Sequence, residues 1–222
     1  MKLFRKKDLL VYSWGLVFAL ISVSIFYWIL KPQKTLPIFQ PSTVNLKLVD
    51  SSIQYVSKYH NISAFSLINQ NGDTITEKFY KGKIYVADFF FTTCQDICPI
   101  MTRNMHVLQE KLKNDGEILL LSHTVMPEVD NVEALKKYSI DYNVNDNQWN
   151  LVTGDKEQIY NLARKSYLAA EDVEFKKYDL IHTENFVLID KESQIRGFYD
   201  GTKIDEINLL LDDLKILKNS YK

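Results

Sequence analysis

Cys94 and Cys98 are the residues of this chain best suited to chemistry, and they are its only cysteines. They follow a mostly apolar run that ends near Thr93, and Pro99 comes directly after the second cysteine. A helical pattern then begins, so we expect a buried strand to deliver both thiols to the first turn of a helix. Unpaired N–H groups and the helix dipole lower the pKa of a thiol there, which predicts two thiolates.

The pair could instead form a structural disulfide or lie unreactive in the core. A bridge between such close neighbours closes a very short loop and restrains the unfolded chain little, so we favour a working pair. It would then be a redox couple or two soft ligands for Cu(I), zinc or an iron–sulfur cluster. A structural zinc site usually needs four ligands, and the sequence has no second cysteine pair.

Four histidines are the other candidate soft ligands. His182 is the strongest of them, because it precedes a strand pattern at a place where α/β proteins commonly carry site residues. From the residues alone, an ordinary surface or capped histidine remains the alternative. We expect His60 to lie in a tether, His106 to be exposed on the cysteine helix, and His123 to be buried in an apolar strand.

Asp88 lies on the expected central strand, six residues before Cys94. If its carboxyl group is buried, loss of hydration raises its pKa and allows it to pass a proton to the second cysteine. The alternative is a local hydrogen-bonding role near the edge of the sheet.

The first thirty residues differ in composition from the rest of the chain. A basic tail, residues 1–8, precedes residues 9–30, which carry no charge and are long enough to span a bilayer. A cleaved signal peptide is the alternative, but its apolar core is about 7–15 residues and no small-x-small cleavage site follows here. The basic tail predicts a single-pass anchor in the inner (cytoplasmic) membrane, with the C-terminal domain on the periplasmic or outer side.

The remaining chain predicts one α/β domain. Residues 31–61 contain three prolines and no periodicity, so we expect an extended tether before a domain at 62–222. An Asn-Gly spacer at 69–72 predicts a β-hairpin, and strands then alternate with helices, which indicates a parallel component. The net charge of -1 gives no sign of a nucleic-acid partner. Expected strands are 84–91, 118–125, 149–153, 185–189 and 195–199, and expected helices are 97–113, 131–138, 155–167 and 204–217.

Three motifs resemble the SCO/SenC family of copper chaperones, and the likeness covers residues 62 to the C-terminus. It implies a thioredoxin-like fold with an N-terminal β-hairpin, preceded by one transmembrane helix. It also implies a copper ion bound by Cys94, Cys98 and His182, and delivery of that copper to the dinuclear centre in subunit II of cytochrome c oxidase. The motifs are Phe91-Thr-Thr-Cys94-Gln-Asp-Ile-Cys98-Pro99 with Met105, Trp149-x-Leu-Val-Thr-Gly154, and His182 before Phe186-Val-Leu-Ile-Asp190.

One position departs from the family pattern. The family usually has Asp-Pro-x-x-Asp after the third strand, whereas this chain has Met126-Pro127-Glu128-Val129-Asp130. Any role of the first carboxylate is therefore in doubt. A thioether can contact copper weakly, but we expect Met126 to pack within its loop.

A thiol–disulfide oxidoreductase is the alternative function. Thioredoxins are similar in carrying an acidic residue at the spacing of Asp88. Against this function, three residues separate the cysteines rather than two, and His182 has no task. The two functions are compatible, because reduction of the oxidase's own cysteines would also serve copper insertion. A metal-free redox sensor is a third possibility.

We therefore expect a chaperone rather than an enzyme. A disulfide between the cysteines removes both thiolate ligands, so a thiol reductant protein is an expected partner.

Overall fold

The computed structural model describes residues 6–30, 34–170 and 183–221. Contacts divide the chain into two compact units, with the boundary between Thr35 and Leu36. The first unit contains one helix, α1 (Lys6–Leu30), whose described side chains are exposed. Within the described residues, no helix meets the length and hydropathy that a membrane span requires. The transmembrane anchor is therefore not confirmed and stays a prediction.

The second unit is built on a seven-stranded sheet in the order β2-β1-β5-β4-β3-β6-β7. The three central strands β3, β4 and β5 are parallel, and the outer strands pair antiparallel, so the predicted α/β fold and its N-terminal hairpin are confirmed. The strands are β1 (Ser66–Asn69), β2 (Thr74–Thr76), β3 (Ile84–Phe90), β4 (Ile118–Thr124), β5 (Trp149–Thr153), β6 (Asn185–Ile189) and β7 (Ile195–Asp200). The helices are α2 (Glu77–Tyr80), α3 (Cys98–Leu112), α4 (Val132–Asp141), α5 (Lys156–Asn161) and α6 (Ile204–Asn219).

Every residue of β3 and β4 is buried, as expected for strands covered on both faces. Successive side chains point to opposite faces, and they divide the apolar interior into two cores. The α3 core contains Ile84, Val86, Phe90, Cys98, Met101, Met105 and side chains of α4 and α6. The α5 core contains Tyr85, Ala87, Phe89, Ile159, Leu162, Ala163 and Tyr167.

The segment 36–61 packs on the domain, so the prediction of a tether over 31–61 is wrong from Leu36 onward. The Arg196 guanidinium donates to the carbonyl oxygen of Leu36 at 2.6 Å. The Phe39 N–H donates to the Ile195 carbonyl at 2.9 Å, and Val49 is buried in the α5 core. Sequence periodicity missed this segment because the contacts that attach it to the sheet join Leu36 and Phe39 to residues more than 150 positions away.

The helix expected over 155–167 is interrupted. Asp155 caps it as predicted, accepting from Gln158 N–H at 2.7 Å, but α5 ends at Asn161. A π-helical turn, Leu162–Ser166, follows. Short helix α2 was not predicted, because its four residues carry no full helical period.

Candidate metal and redox site

Both cysteines lie beyond the C-terminal ends of the parallel strands. We call this end of the sheet the cysteine edge. After β3 ends at Phe90, a turn carries Cys94, and α3 begins at Cys98. Both thiols are free; Cys94 is half-buried and Cys98 is buried. The prediction that both lie on one helical turn is wrong for Cys94, because α3 begins four residues later.

The two thiols lie close enough for Cys94 to act on the pKa of Cys98. Burial raises the pKa of the Cys98 thiol, and the neighbouring Cys94 and the Asp88 carboxylate raise it further. The prediction of a lowered pKa is therefore wrong for Cys98, because lost hydration outweighs the backbone N–H groups of the helix N-terminus. Without metal, Cys98 is protonated at neutral pH, and a metal must displace that proton to bind.

Asp88 lies on β3 on the side of the α3 core, and it is only 1% exposed. Ser122 is opposite it on β4, and the Ser122 hydroxyl lowers the pKa of the Asp88 carboxyl group. The Trp149 indole N–H in turn donates to Ser122 Oγ at 2.9 Å. Asp88 Oδ1 has no hydrogen-bond partner among the described residues. Burial raises the pKa of Asp88 to about 7, so its carboxyl group can hold or release a proton near neutral pH. Its role as a proton shuttle stays a prediction.

Asp130 fastens the cysteine turn to the sheet, a role that sequence reasoning missed. Its carboxylate is fully buried and accepts from the Thr92 N–H at 3.1 Å. The hydroxyls of Thr92 and Thr124 also donate to it. Thr92 precedes Cys94 by two residues, and Thr124 ends β4. In the sequence, Asp130 is recognisable as the last residue of the Met126–Asp130 motif. The sequence alone does not distinguish a buried acid at this position from an exposed one.

The described histidines lie away from the two thiols or on the other face of the sheet. His123 is buried, stacks on Phe89 at 4.8 Å between ring centroids, and burial lowers its pKa to about 4. His60 Nε2 lies 2.8 Å from the Ser166 carbonyl oxygen, so it belongs to the packed segment rather than to a tether. His106 is half-buried beside Gln109 rather than exposed.

His182 lies outside the described residues, so its role as a ligand stays a prediction. The described chain resumes at Thr183, and β6 is antiparallel to β3 with Val187 opposite Ala87. The start of β6 therefore lies at the cysteine edge. Among the described residues, no group of three potential metal-ligating side chains occurs.

Two hydrogen bonds connect the start of β6 to the cysteine helix. Gly201 N–H donates to the Glu184 carbonyl at 2.6 Å. Asn104 of α3 donates through Nδ2 to the Gly201 carbonyl at 2.7 Å. Residues directly after His182 in sequence are thus attached to the helix that begins with Cys98.

Met126 packs within its loop, as expected. It lies against the α5 core, and its N–H donates to Thr124 Oγ1 at 3.0 Å. Cys94 packs against the α3 core instead.

Comparison with known proteins gives the same family as the motifs. A family model described as SCO1/SenC matches residues 54–217. The SCO1 protein homologue of Bacillus subtilis (strain 168) is 30% identical over 158 residues, which are 70% of this chain and 82% of that protein.

Two solved structures share the fold. BsSco, described as a member of the Sco family of cytochrome c oxidase assembly proteins with a disulfide switch, is 28% identical with a TM-score of 0.60, covering 71% of this chain and 93% of that one. Arabidopsis thaliana ScoI with copper bound is 26% identical with a TM-score of 0.56, covering 69% of this chain and 97% of that one. The mixed α/β fold is that of the thioredoxin-like Sco structures, and the chain belongs to the SCO1/SenC family.

Proposed function

We propose that this chain is a membrane-anchored copper chaperone that delivers copper to the dinuclear centre in subunit II of cytochrome c oxidase. The observation that carries the proposal is the pair of free thiols at the cysteine edge, one half-exposed and one buried. Two relatives support it: BsSco belongs to the oxidase assembly proteins, and Arabidopsis ScoI was solved with copper bound.

Cys94, Cys98 and His182 are the proposed copper ligands. Two thiolates suit Cu(I), which prefers soft ligands. The half-exposed Cys94 gives ligands of a target protein access to the metal, so that copper can be passed on. His182 precedes Asn185 by three residues, which span at most about 10 Å, so a ligand there is within reach of the cysteine edge.

Copper binding requires a reduced pair and displaces the Cys98 proton. A thiol reductant protein would supply two electrons to break any disulfide between Cys94 and Cys98. The buried Asp88 carboxylate is the proposed acceptor of the proton that leaves Cys98, because its charge already acts on that thiol.

A thiol–disulfide oxidoreductase is the second candidate, and it is favoured by Asp88 Oδ1, which has no hydrogen-bond partner in the part of the chain that the structure describes. The Cys94 thiolate would attack a disulfide of the substrate protein and release one substrate thiolate. Cys98, after giving its proton to Asp88, would attack the Cys94 sulfur and release the second. Two electrons pass from the pair to the substrate, and the pair becomes a disulfide.

We also propose that residues 9–30 anchor the chain in the cytoplasmic membrane, with the domain on the periplasmic or outer side. The exposed apolar side chains of α1, among them Trp14, Phe18 and Phe26, support this placement. Protease added outside intact spheroplasts should digest the domain while the membrane fraction retains the N-terminal peptide. A domain that is protected from this protease, or released into the soluble fraction, would contradict the proposal.

Titration of the reduced chain with Cu(I) against a competing chelator tests the copper function. We expect one equivalent to bind, and His182→Ala to weaken the affinity on the order of 10–100-fold. His106→Ala, a histidine change on α3, is the matched control and should leave the affinity unchanged. Equal affinities for the parent and His182→Ala would contradict the ligand set. Retention of a disulfide-reductase rate that depends on Asp88, without copper binding, would favour the oxidoreductase.

A further inference from the structure

We infer that Asp130 is a positioning residue for Cys94, holding the cysteine turn in the conformation that a soft metal ion requires. The inference deepens the proposed copper function and rests on it. It assigns a task to a carboxylate that is not itself a proposed ligand.

The contacts of Asp130 hold the part of the cysteine turn that precedes Cys94. One oxygen accepts the Thr92 N–H and the Thr124 hydroxyl, and the other accepts the Thr92 hydroxyl. The backbone two residues before Cys94 is thereby fixed to the last residue of β4. Cys98 depends on this carboxylate much less, because α3 and its packing in the α3 core hold it.

Asp130 also differs from Asp190, another buried carboxylate of the domain that accepts backbone N–H groups. Asp190 is equally buried and accepts two N–H groups of the β6–β7 turn, but Arg196 pairs with it at 2.9 Å. No ion pair among the described residues includes Asp130, so hydrogen-bond donors alone stabilise its carboxylate. Because an unpaired buried carboxylate is costly, we infer that the turn conformation it fixes has a use beyond stability.

Preorganisation of one ligand should affect metal affinity more than it affects folding. If the Cys94 turn is loosened, copper binding must first order it, and the affinity falls by the cost of that ordering. The same loosening should be visible without copper, because the Thr92 N–H loses its acceptor and exchanges with solvent more often.

The test compares Asp130→Asn and Thr124→Val with the parent in the reduced full-length chain. We expect amide hydrogen exchange in residues 92–96 of the metal-free protein to accelerate on the order of tenfold. Cu(I) affinity, measured against a competing chelator, should weaken on the order of tenfold for Asp130→Asn and less for Thr124→Val. In a Cys94→Ser background, Asp130→Asn should cause no further loss of affinity.

Asp190→Asn is the matched control, because it weakens a buried clamp at the opposite edge of the sheet. It should lower the free energy of unfolding while leaving Cu(I) affinity and exchange in residues 92–96 unchanged. Unchanged affinity in folded Asp130→Asn, or the same loss in the Cys94→Ser background, would overturn the inference. Failure of the parent itself to bind copper would instead count against the proposed function.

Discussion

The two thiols differ in their surroundings, and this difference fits a metal carrier. Cys98 is buried at the start of α3, and Asp88 acts on its thiol, so it keeps its proton until a metal replaces it. Cys94 is half-exposed on a turn. One thiol is therefore shielded from solvent and the other is accessible to a partner protein. The sequence predicted that both thiols lie near a helix N-terminus, but it could not show that burial would outweigh the helix dipole at Cys98.

Asp88 gives the free energy of unfolding a pH dependence of definite sign. Its pKa is about 7 in the folded chain and roughly 3.9 in an unfolded one. Its stabilising contribution is therefore complete below pH ~4 and is lost as the pH rises through 7. We expect the free energy of unfolding of the parent, measured relative to that of Asp88→Asn by urea unfolding, to fall on the order of 1–3 kcal/mol between pH 5 and 7.

Ser122→Ala provides the complementary variant for this titration. The Ser122 hydroxyl lowers the pKa of Asp88, so its removal should move the fall in the free energy of unfolding to higher pH. An identical slope in the parent and in Asp88→Asn would show that another group is responsible.

At the scale of elements, the sequence predicts the strands and helix caps that depend on nearby residues. It does not reveal the features that depend on contacts between distant residues. Strand β5 was predicted at its observed bounds, and Asp155 was recognised as a helix cap, because alternation and capping depend on nearby residues. The packing of residues 36–61 and the Asp130 clamp depend on partners that are far away in sequence or on burial. Neither leaves a periodic pattern, so the sequence alone could not reveal them.

Gly201 connects β6 to α3, and the space around it allows no side chain. A Cβ atom there would lie 2.6 Å from Phe186 Cε1 and 3.0 Å from the Glu184 carbonyl oxygen. We expect Gly201→Ala to lower the free energy of unfolding by about 1–3 kcal/mol, because the clash must displace packed atoms. If His182 is a ligand, Cu(I) affinity should also fall.

Gly116→Ala is the matched control for this change, because a Cβ at Gly116 meets no atom within 4 Å. Its free energy of unfolding should stay within about 0.5 kcal/mol of the parent. Equal thermal unfolding of the two alanine variants would show that the contact around Gly201 is unimportant.

At the scale of the whole molecule, the folded unit begins at Leu36 rather than at residue 62. Leu36 contributes to the α3 core and Val49 to the α5 core, so the N-terminal segment completes both sides of the sheet. A chain beginning at Leu36 should unfold like the full-length domain. A chain beginning at Ile62 should lose roughly 3–6 kcal/mol, because two buried aliphatic side chains are absent. Urea unfolding of both shortened chains at one pH measures this difference. Equal free energies of unfolding would show that residues 36–61 act as a tether and do not stabilise the domain.

The hydrogen bond from the Arg196 guanidinium to the Leu36 carbonyl determines where a pulling force on the N-terminal chain enters the domain. Phe39 bonds to Ile195, which is opposite Ile189, and Ile189 is paired with Tyr85 near the beginning of β3. The thiols follow the other end of that strand, about 20 Å away at 3.3 Å per residue. A force that pulls on the chain before Leu36 would therefore act first on the Arg196 guanidinium and on the β6–β7 turn. The thiols lie at the end of β3 opposite to the point where this force enters the sheet.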